Sequence, residues 1–499
     1  MMQQQSIVTP RLPDRLYRAQ QVRAMDKYAI EDLGIPGLVL MQRAGMAAFD
    51  VLRQTWPEAR KLAVVCGGGN NGGDGYIVAR LALDAHFAVH VFALSPPDRL
   101  KGDARRAYES YVAAGGRLTL GPPTETAAYQ VMVDAVFGTG LDREVTGEYE
   151  TAIASINRFR GGVLAVDIPS GLHADTGSIL GCAVEADATV SFIGLKQGLF
   201  TAEGPACCGR IWYADLGVPE AVMEYQPPSA RLWSEYVNFL PPRQASAHKG
   251  HFGHVLVVGG DAGFIGAARM AAEAAARTGA GLVSVATRSA HAAQLNSGRP
   301  EIMSHGVETT TELQTLLARA TVVSIGPGLG QSGWARSLLQ TVCESGLPMV
   351  VDADALNLLA QNPKRKDNWI LTPHPGEAAR LLGTDTPTIQ ADRYRAVRAL
   401  QQKYGGICIL KGSGTLVADE EGVTGVCALG NPGMASGGMG DVLSGILCAL
   451  LAQGLDLLAA APMGVCLHAA AADGAAEAGQ RGLLATDLMP WIRRLVNRS

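Results

Sequence analysis

Residues 61–75 read KLAVVCGGGNNGGDG: an apolar run, predicted to be a β-strand at residues 61–66, passes directly into a stretch in which six of nine residues are glycine. A helical pattern follows at residues 76–85. Glycine lets the backbone approach a ligand closely and adopt positive φ, and the free N–H groups at a helix start attract a diphosphate. This junction therefore predicts an α/β domain that binds phosphate at the edge of its sheet.

Two other interpretations of these glycines follow from the residues alone. Gly67, Gly69 and Gly72 match the spacing of the dinucleotide-binding fingerprint of dehydrogenases. However, no acidic residue is placed for a ribose hydroxyl where the next predicted strand, residues 88–94, ends, so an ordinary dehydrogenase is disfavoured. The second alternative is a glycine-rich turn that only packs, and the two asparagines and the aspartate in the stretch argue against it.

Two aspartates mark further strands of the first half. Asp134 lies in a predicted strand at residues 131–137, and Asp167 ends another at residues 162–168. Ligands bind at the carboxyl ends of strands in open α/β sheets, and a carboxylate there is a candidate general base or cation ligand. Capping of the following helix is the alternative role. The same half contains another predicted strand at residues 188–192. It also contains two predicted helices, at residues 18–33 and 151–158.

Regular patterns lapse between about residues 220 and 247, where four prolines occur. We predict a linker at residues 223–245, between a first domain at residues 15–222 and a second at residues 246–497. The second half resumes the alternation of strands and helices. Its predicted strands are residues 254–260, 282–287, 322–325, 349–351 and 407–411. The predicted fold class is α/β, with two doubly wound three-layer domains.

Composition excludes several classes of protein. The 42 basic and 46 acidic residues give a net charge of −4, which argues against a nucleic-acid partner. Hydrophobic residues make up 47% of the 499, which excludes general disorder. The nine cysteines lack a C-x-x-C pair, so we expect reduced thiols in a cytoplasmic protein. Residues 1–15 lack a signal sequence, and residues 442–472 predict a buried helix pair and no membrane span.

A second glycine-rich stretch precedes a helix late in the chain. Residues 430–441 read GNPGMASGGMGD and lead into an apolar pattern at residues 442–452. Free N–H groups at such a helix start can stabilise a phosphoryl group during its transfer. Asp441 beside them can accept a proton from a hydroxyl group. A simple aspartate cap is the alternative. Four other segments end predicted strands and are expected on the same rim: residues 326–330, 352–357, 371–377 and 411–415.

The first half resembles the NAD(P)H-hydrate epimerase domain over roughly residues 15–222. The likeness rests on residues 41–45 (MQRAG), 70–75, 138–143 (GTGLDR) and 166–171 (VDIPSG). The resemblance implies epimerisation of R and S NAD(P)HX at C6, with Asp167 as the acid/base near C6. It implies a potassium ion on Asn71, Asp134 and Ser170. It also implies a substrate site made by Asn70, Asn71, Gly72, Gly73, Asp74, Gly138, Thr139, Gly140, Leu141, Asp142 and Arg143.

The second half is similar to the ribokinase-like superfamily, and more narrowly to the ADP-dependent NAD(P)H-hydrate dehydratase, over roughly residues 240–495. The resemblance implies dehydration of S-NAD(P)HX at the expense of ADP with magnesium, giving AMP and phosphate. Asp441 would be the base, and Ala267, Gly328 and His374 would line the hydrated-cofactor side. The implied nucleotide-binding residues are Lys411, Gly412, Ser413, Gly414, Thr415, Gly437, Gly438 and Gly440. Sugar kinases of the superfamily usually carry Asn-x-x-Glu where this chain has His374 to Glu377, which leaves the role of Glu377 in magnesium placement open.

The favoured interpretation is one chain with two active sites acting in sequence. The alternatives are a sugar or vitamin-precursor kinase fused to a dinucleotide-binding regulatory domain, and a scaffold protein of RNA metabolism. His248, His251 and His254 suggest a metal site, but their spacing does not require the three rings to converge. A homo-oligomer is expected, because small residues at positions 267–276 would permit assembly.

Overall fold

The structure, a computed structural model, describes residues 8–238 and 240–497. The chain divides into two compact units between Leu232 and Trp233, a point inside the predicted linker. Each unit alternates strands and helices around a mainly parallel sheet, so the predicted α/β class is confirmed.

The first unit contains an eight-stranded sheet in the order β1-β10-β8-β7-β6-β3-β4-β5, in which only β1 runs antiparallel. Two further short strands, β9 and β11, pair with β2. The strands are β1 (Val8–Thr9), β2 (Arg15–Tyr17), β3 (Lys61–Cys66), β4 (Ala88–Ala93), β5 (Arg117–Leu120), β6 (Val131–Ala135), β7 (Gly162–Val166), β8 (Ala188–Phe192), β9 (Leu195–Lys196), β10 (Arg210–Ala214) and β11 (Ala230–Trp233).

Helices cover both faces of this sheet. Leu62 and Val64 of β3 face one apolar core, and the alternating Ala63 and Val65 face another. This period-2 pattern on two buried faces is the doubly wound arrangement predicted above. The helices are α1 (Ala19–Lys27), α2 (Gly37–Thr55), α3 (Asn70–Asp84), α4 (Gly102–Ala113), α5 (Glu148–Asn157), α6 (Gly204–Cys208) and α7 (Glu220–Glu224).

The predicted helix at residues 18–33 is confirmed in its extent, but its second half is not α-helical. The α-helix ends at Lys27, and Tyr28–Asp32 continue as a π-helical turn.

The second unit contains strands in the order β14-β13-β12-β15-β16-β17-β18-β19-β20. Those from β14 to β18 are parallel, while β18, β19 and β20 form an antiparallel meander. The central strands β15 and β16 are buried along their whole length, as a sheet covered on both faces requires. The strands are β12 (His254–Val258), β13 (Leu282–Thr287), β14 (Met303–Gly306), β15 (Val322–Ile325), β16 (Met349–Val351), β17 (Trp369–Leu371), β18 (Ile407–Leu410), β19 (Thr415–Asp419) and β20 (Gly422–Cys427).

Four helices, α8, α16, α17 and α18, share one apolar core with this sheet. The helices of the unit are α8 (Ile265–Thr278), α9 (Ser289–Leu295), α10 (Thr310–Leu317), α11 (Gly333–Glu344), α12 (Ala353–Gln361), α13 (Pro375–Leu382), α14 (Thr386–Ala391), α15 (Arg393–Tyr404), α16 (Met439–Ala452), α17 (Leu457–Ala475) and α18 (Leu488–Leu495).

The small residues of α8 do not form a free surface. Ala271, Ala272 and Ala275 are fully buried, and Gly445 of α16 approaches so closely that a Cβ there would lie 2.1 Å from the Ala271 carbonyl oxygen. These residues pack helix on helix inside the unit. The expectation that they support assembly is therefore wrong.

The apolar stretch at residues 442–472 forms the predicted helix pair, α16 and α17. In the described part of the chain, one helical segment, Leu457–Ala478, has the length and hydropathy of a membrane span. Buried residues make up 61% of its most apolar window, as in the core helix of a globular unit.

Candidate active sites

The helix α3 begins inside the glycine stretch. Its N-cap is Gly69, and Asn70 is its first residue, so residues 70–75 are the first turns of a helix and not a loop. None of the described glycines at positions 67–75 has positive φ. A Cβ on Gly72 would lie 2.1 Å from the Gly67 carbonyl oxygen, and one on Gly75 would lie 2.5 Å from Ala135 Cβ. These glycines serve the close approach of helix and sheet, and the part of the prediction based on positive φ is wrong.

A cleft of about 650 Å³ opens at this helix start, where the carboxyl ends of β3, β6 and β7 meet. Its walls include residues from both stretches expected to hold the diphosphate and sugars. Those lining residues are Asn70, Asn71, Asp74, Gly138, Thr139, Gly140, Leu141, Asp142 and Arg143. Gly72 and Gly73 are buried and do not belong to its lining.

Asp134 is fully buried behind the cleft and is bound to Ser170. The Ser170 amide and hydroxyl donate to the two Asp134 carboxylate oxygens at 2.8 and 2.6 Å. Burial raises the pKa of Asp134 to about 6, although these hydrogen bonds oppose the shift. Asn71 lines the cleft and is 8% exposed, and neither its side-chain oxygen nor its nitrogen has a hydrogen-bond partner among the described residues. An unsatisfied buried amide in the wall of a cleft calls for an explanation, such as a bound ligand or ion.

Asp167 lines the same cleft with a positive φ of 69°. Its Oδ1 accepts a hydrogen bond from Lys196 Nζ, and Lys196 is fully buried. The ammonium also donates to Ser191 Oγ at 3.1 Å and to the Phe192 carbonyl oxygen at 3.2 Å. A Cβ on Gly138 would lie 3.5 Å from Asp167 Oδ2, so the glycine leaves room beside this carboxylate.

Other carboxyl groups line the cleft as well, among them Asp26 and Asp74. Burial raises the pKa of Asp26 to about 6, with the Lys196 charge lowering it and the Asp167 charge raising it. Burial and the charges of Asp167 and Asp26 raise the pKa of Asp74 well above its ordinary range. Asp26, Asp74 and Asp167 interact electrostatically with the buried ammonium of Lys196 or with one another, and together these four groups are able to give and take protons.

In the second unit, α16 begins at Met439, after a left-handed Gly438 with φ of 91°. Asp441 lies in its first turn. Burial raises the pKa of Asp441 to about 7, and the charge of Asp352 adds to the shift while that of Lys411 opposes it. A carboxyl group that titrates near neutrality beside a helix start is suited to accept a proton.

A buried ion pair lies next to this helix start. Lys411 Nζ donates to Asp352 Oδ1 at 2.7 Å, and Ser444 Oγ donates to Asp352 Oδ2 at 2.8 Å. Glu377 Oε2 lies 3.9 Å from Lys411 Nζ and accepts from the His374 amide at 2.7 Å. Glu377 thus closes the N-terminal capping box of α13.

Residues 411–414 form the turn between β18 and β19, with left-handed Gly412 and Gly414, and Thr415 begins β19. The guanidinium of Arg393, which is almost completely buried, fixes this turn: Nη2 donates to the carbonyl oxygens of Leu410 and Lys411 at 3.2 and 3.1 Å. The buried Arg393 guanidinium therefore fixes the carbonyl groups of this turn, so the amides of the turn need not bond to them.

The residues expected on the hydrated-cofactor side lie in two places. Gly328 has φ of 59°, and a Cβ on it would lie 3.2 Å from Ala267 Cβ, so these two residues are adjacent. His374 is half exposed at the start of α13, and its Nδ1 accepts from the Gly376 amide at 3.0 Å. Burial lowers the pKa of His374, and the positive charge of Lys411 lowers it further.

The three histidines of the second unit's first segment do not form a metal cluster. The rings of His248 and His251 stack at 3.8 Å, whereas the His254 ring contacts Ser284 Oγ and the Arg319 carbonyl oxygen. No cluster of three or more His, Cys, Asp or Glu side chains suited to a metal occurs within residues 8–238 and 240–497.

Sequence reasoning missed Lys196, Asp26 and Arg393, and gave Asp352 only a place at a strand end. For Lys196 a signal existed: it is the lone charged residue in the apolar segment from Ala188 to Phe200. A buried lysine is rare without a partner, so this position could have been recognised as one member of a buried ion pair, although its partner could not have been named.

Comparisons with known proteins match both parts of the chain. A family model described as NAD(P)H-hydrate dehydratase matches residues 255–494, and one described as YjeF-related protein N-terminus matches residues 37–198. The bifunctional NAD(P)H-hydrate repair enzyme of Coxiella burnetii is 50% identical over 97% of this chain and 99% of its own. The chain belongs to the family of bifunctional NAD(P)H-hydrate repair enzymes.

The enzyme of the same name from Escherichia coli is 44% identical over 97% of this chain and 95% of its own. Among solved structures, the ADP/ATP-dependent NAD(P)H-hydrate dehydratase of Bacillus subtilis, co-crystallised with ATP and Mg²⁺, is 29% identical, covers 51% of this chain and 93% of its own, and has a TM-score of 0.47. The predicted bifunctional enzyme, an epimerase joined to a dehydratase that act on hydrated nicotinamide cofactors, is confirmed by the family.

Proposed function

We propose that the first unit epimerises NAD(P)HX with Asp167 and Lys196 as its proton-transfer pair. The observation that carries this proposal is the contact between the buried Lys196 ammonium and Asp167 in the wall of the cleft. Asn70, Asn71 and Asp74 on one side, and Gly138–Arg143 on the other, would bind the diphosphate and sugars. Gly72 and Gly73 would contribute by allowing α3 to begin so close to the sheet.

Epimerisation at C6 requires proton transfer at the C6 oxygen. C6 carries a hydroxyl group and the ring nitrogen N1. A proton delivered to the hydroxyl lets water leave with the C–O electrons, while the N1 lone pair forms an iminium ion. Water then adds to the opposite face and returns the proton. The Asp167–Lys196 pair would donate and recover this proton, with the cleft limiting exchange of the departing water.

A potassium ion in the first unit fits the residues present. The Asn71 side-chain oxygen is buried and unpartnered among the described residues, and Asp134 is a fully buried carboxylate with Ser170 attached. These three residues offer the hard oxygen donors that such a cation prefers. When bound, potassium would supply a fixed positive charge beside the substrate, and Asn71 and Ser170 would orient the two stretches that border the cleft.

For the second unit we propose ADP-dependent dehydration of S-NAD(P)HX. The C6 hydroxyl oxygen attacks the terminal phosphorus of ADP, AMP leaves, and Asp441 takes the hydroxyl proton. Phosphate then departs with the C6–O electrons as C5 loses a proton, which restores NAD(P)H. The amides of Gly437, Gly438 and Gly440 would stabilise the transferred group, and Lys411, Gly412, Ser413, Gly414 and Thr415 would contact the nucleotide. Ala267, Gly328 and His374 would line the side of the hydrated cofactor.

Magnesium would accompany the nucleotide phosphates. One oxygen of Glu377 is already engaged, because Oε2 accepts from the His374 amide and faces Lys411. Magnesium would therefore be held mainly by the nucleotide phosphates and not by this oxygen.

We also propose a cytoplasmic location and a homo-oligomer. Free thiols support the first: all nine cysteines are unpaired, and all but Cys182 are buried. The homo-oligomer remains a prediction, to be measured by light scattering. The proposed domain bounds, 15–222 and 246–497 with a linker at 223–245, are testable by expressing each segment.

The decisive experiment supplies R-NADHX alone with ADP. The wild-type protein should convert all of it to NADH, AMP and phosphate, with recovery of reduced-nicotinamide absorbance. Asp167→Asn should leave R-NADHX unconverted but still dehydrate S-NADHX. Asp441→Asn should interconvert the epimers without forming AMP. An Asp167→Asn protein that epimerises at the wild-type rate would contradict the proposal for the first unit.

A further inference from the structure

The Lys411 ammonium and the Asp352 carboxylate lie beside Gly440. A Cβ built on Gly440 would be 3.1 Å from Lys411 Nζ and 3.3 Å from Asp352 Oδ2. These distances are tighter than ordinary carbon contacts, so a side chain at this position would press on both charged groups. Gly440 is in the first turn of α16, where its φ is not positive. The glycine is therefore needed for space.

Asp352 holds that ammonium from the other side. Its carboxylate is almost completely buried, and each of its oxygens has a fixed donor: Lys411 Nζ on Oδ1 and Ser444 Oγ on Oδ2. Ser444 belongs to α16 itself and is fully buried. The carboxylate thus links the strand end after β16 to the lysine after β18 and to the helix that carries Asp441.

The remaining charges near the ammonium make Asp352 its main partner. Glu377 Oε2 is the other carboxylate oxygen within 4 Å, at 3.9 Å, and it is already engaged with the His374 amide. A flexible lysine held by one short hydrogen bond, with a glycine backbone on its other side, has little freedom to turn away. Its charge adds to the partial positive charge of the α16 N-terminus.

We propose that Asp352 is a positioning residue for dehydration, which fixes the Lys411 ammonium at the Gly440 amide so that both meet the transferred phosphoryl group. This inference rests on the proposed nucleotide role of Lys411 and Gly440. Asp352 acts through Lys411 and need not touch the substrate. Gly440 keeps open the space that the ammonium occupies.

The test is a double-mutant cycle in the full-length protein, with kcat and KM for ADP measured on S-NADHX. Lys411→Met should lower kcat by roughly 100-fold, the usual loss when one stabilising donor is removed. Asp352→Asn should lower kcat similarly, and the double variant should be no slower than Lys411→Met alone. Asp419→Asn is the matched control, since Asp419 is a buried carboxylate that accepts from turn amides and should leave kcat unchanged.

Gly440→Ala tests the same arrangement without removing a charge. Its Cβ should displace the ammonium and lower kcat at least tenfold, whereas the melting temperature should hold or rise, because alanine favours a helix interior more than glycine. The melting temperature and the circular dichroism spectrum of each variant report on folding of the second unit, and kcat is compared only among variants that are folded by both measures.

Three outcomes would overturn the inference. If kcat of the Asp352→Asn protein is within threefold of the wild-type value, Asp352 does not position Lys411. The proposed role of Lys411 itself would be unaffected by this result. A double variant slowed by the product of the two single losses would show that Asp352 acts independently of Lys411. Wild-type dehydration by Lys411→Met would remove the proposed role of Lys411 as well.

Discussion

Asp167 combines a left-handed backbone, with φ of 69°, and a hydrogen bond from the buried Lys196 ammonium to its Oδ1. A non-glycine residue in this region costs on the order of 1 kcal/mol and persists only where its surroundings hold it. The Asp167 amide donates to the Val190 carbonyl oxygen at 2.7 Å, which fixes the backbone from the neighbouring strand. The strain aims the carboxylate into the cleft and is consistent with a role in proton transfer.

Replacing Lys196 should separate the two activities. Lys196→Met keeps the length of the side chain but removes the ammonium, and kcat for epimerisation should fall by roughly 10²-fold or more, as for other losses of general acid–base groups. ADP-dependent dehydration of S-NADHX should be unchanged. Chromatography of the R and S epimers over time measures the first rate, and nicotinamide absorbance measures the second.

The matched control is Lys61→Met, because Lys61 is exposed at the start of β3. It should retain both activities. Equal epimerisation rates in Lys196→Met and the wild-type protein, with both folded by circular dichroism, would refute the assigned pair.

Removal of potassium should slow epimerisation alone. With choline as the only monovalent cation, the rate should fall by roughly tenfold or more, equivalent to about 1.4 kcal/mol of transition-state stabilisation. The physical reason is that the buried Asp134 carboxylate and the unpartnered Asn71 amide would lose the cation that we propose they bind. The Asp134→Asn protein should epimerise the substrate equally slowly in potassium and in choline. If potassium still accelerates this variant, the ion binds elsewhere.

Much of the fold could be predicted because its strands are short apolar runs with polar or glycine ends. The bounds of β3, β8, β13, β15 and β16 match the sequence-based prediction. Other predicted strands ran two residues too far, as at residues 131–137 and 162–168. Val136 and Ile168 follow the last paired residues yet are almost fully buried, so hydrophobicity alone could not mark the strand end.

Two of the missed strands are at the margins of the sheets. β5 reads RLTL and β14 reads MSHG, and each is the end strand of its sheet. Every residue of these two strands is exposed or partly exposed. A half-solvated end strand carries little hydrophobic signal, since one edge and part of one face meet water.

Several site residues, such as Asp167 and Lys411, could be predicted one by one, but their pairings could not. Lys196 and Asp167 are 29 positions apart, and Lys411 and Asp352 are 59 apart. Which residues meet depends on the order of the strands in the sheet. Asp167 follows β7, which lies beside β8, and Asp352 follows β16, which is separated from β18 by a single strand. No local pattern encodes that order.

Dehydration should depend on the ionisation of Asp441. Burial and the nearby Asp352 charge raise the pKa of Asp441 to about 7. A base must be deprotonated to act, so kcat/KM should rise as the pH increases through about 7 and should level off above it. A profile from pH 5.5 to 9 on S-NADHX with fixed free ADP measures this directly. A flat profile across pH 6 to 8 would exclude Asp441 as the titrating base.

The same shift predicts a pH-dependent stability difference. Because the pKa in the folded state is raised, the fold binds the proton more tightly than the unfolded chain does, and this contribution to stability is lost as pH rises through about 7. Asp441→Asn cannot ionise. It should therefore raise the melting temperature relative to wild type at pH 8 and much less at pH 5. An equal change at both pH values would contradict the linkage.

Close packing at the start of α3 gives a prediction about stability alone. Gly75→Ala would place a Cβ 2.5 Å from Ala135 Cβ and 2.9 Å from Cys66 Sγ, so we expect a loss of about 1–3 kcal/mol in the free energy of unfolding. Gly69→Ala is the control, since its Cβ would meet no atom within 4 Å and its φ is −103°. Urea unfolding followed by circular dichroism compares the two. Equal stabilities would mean that helix and sheet can separate without cost, and the glycines would then need another explanation, such as contact with the diphosphate.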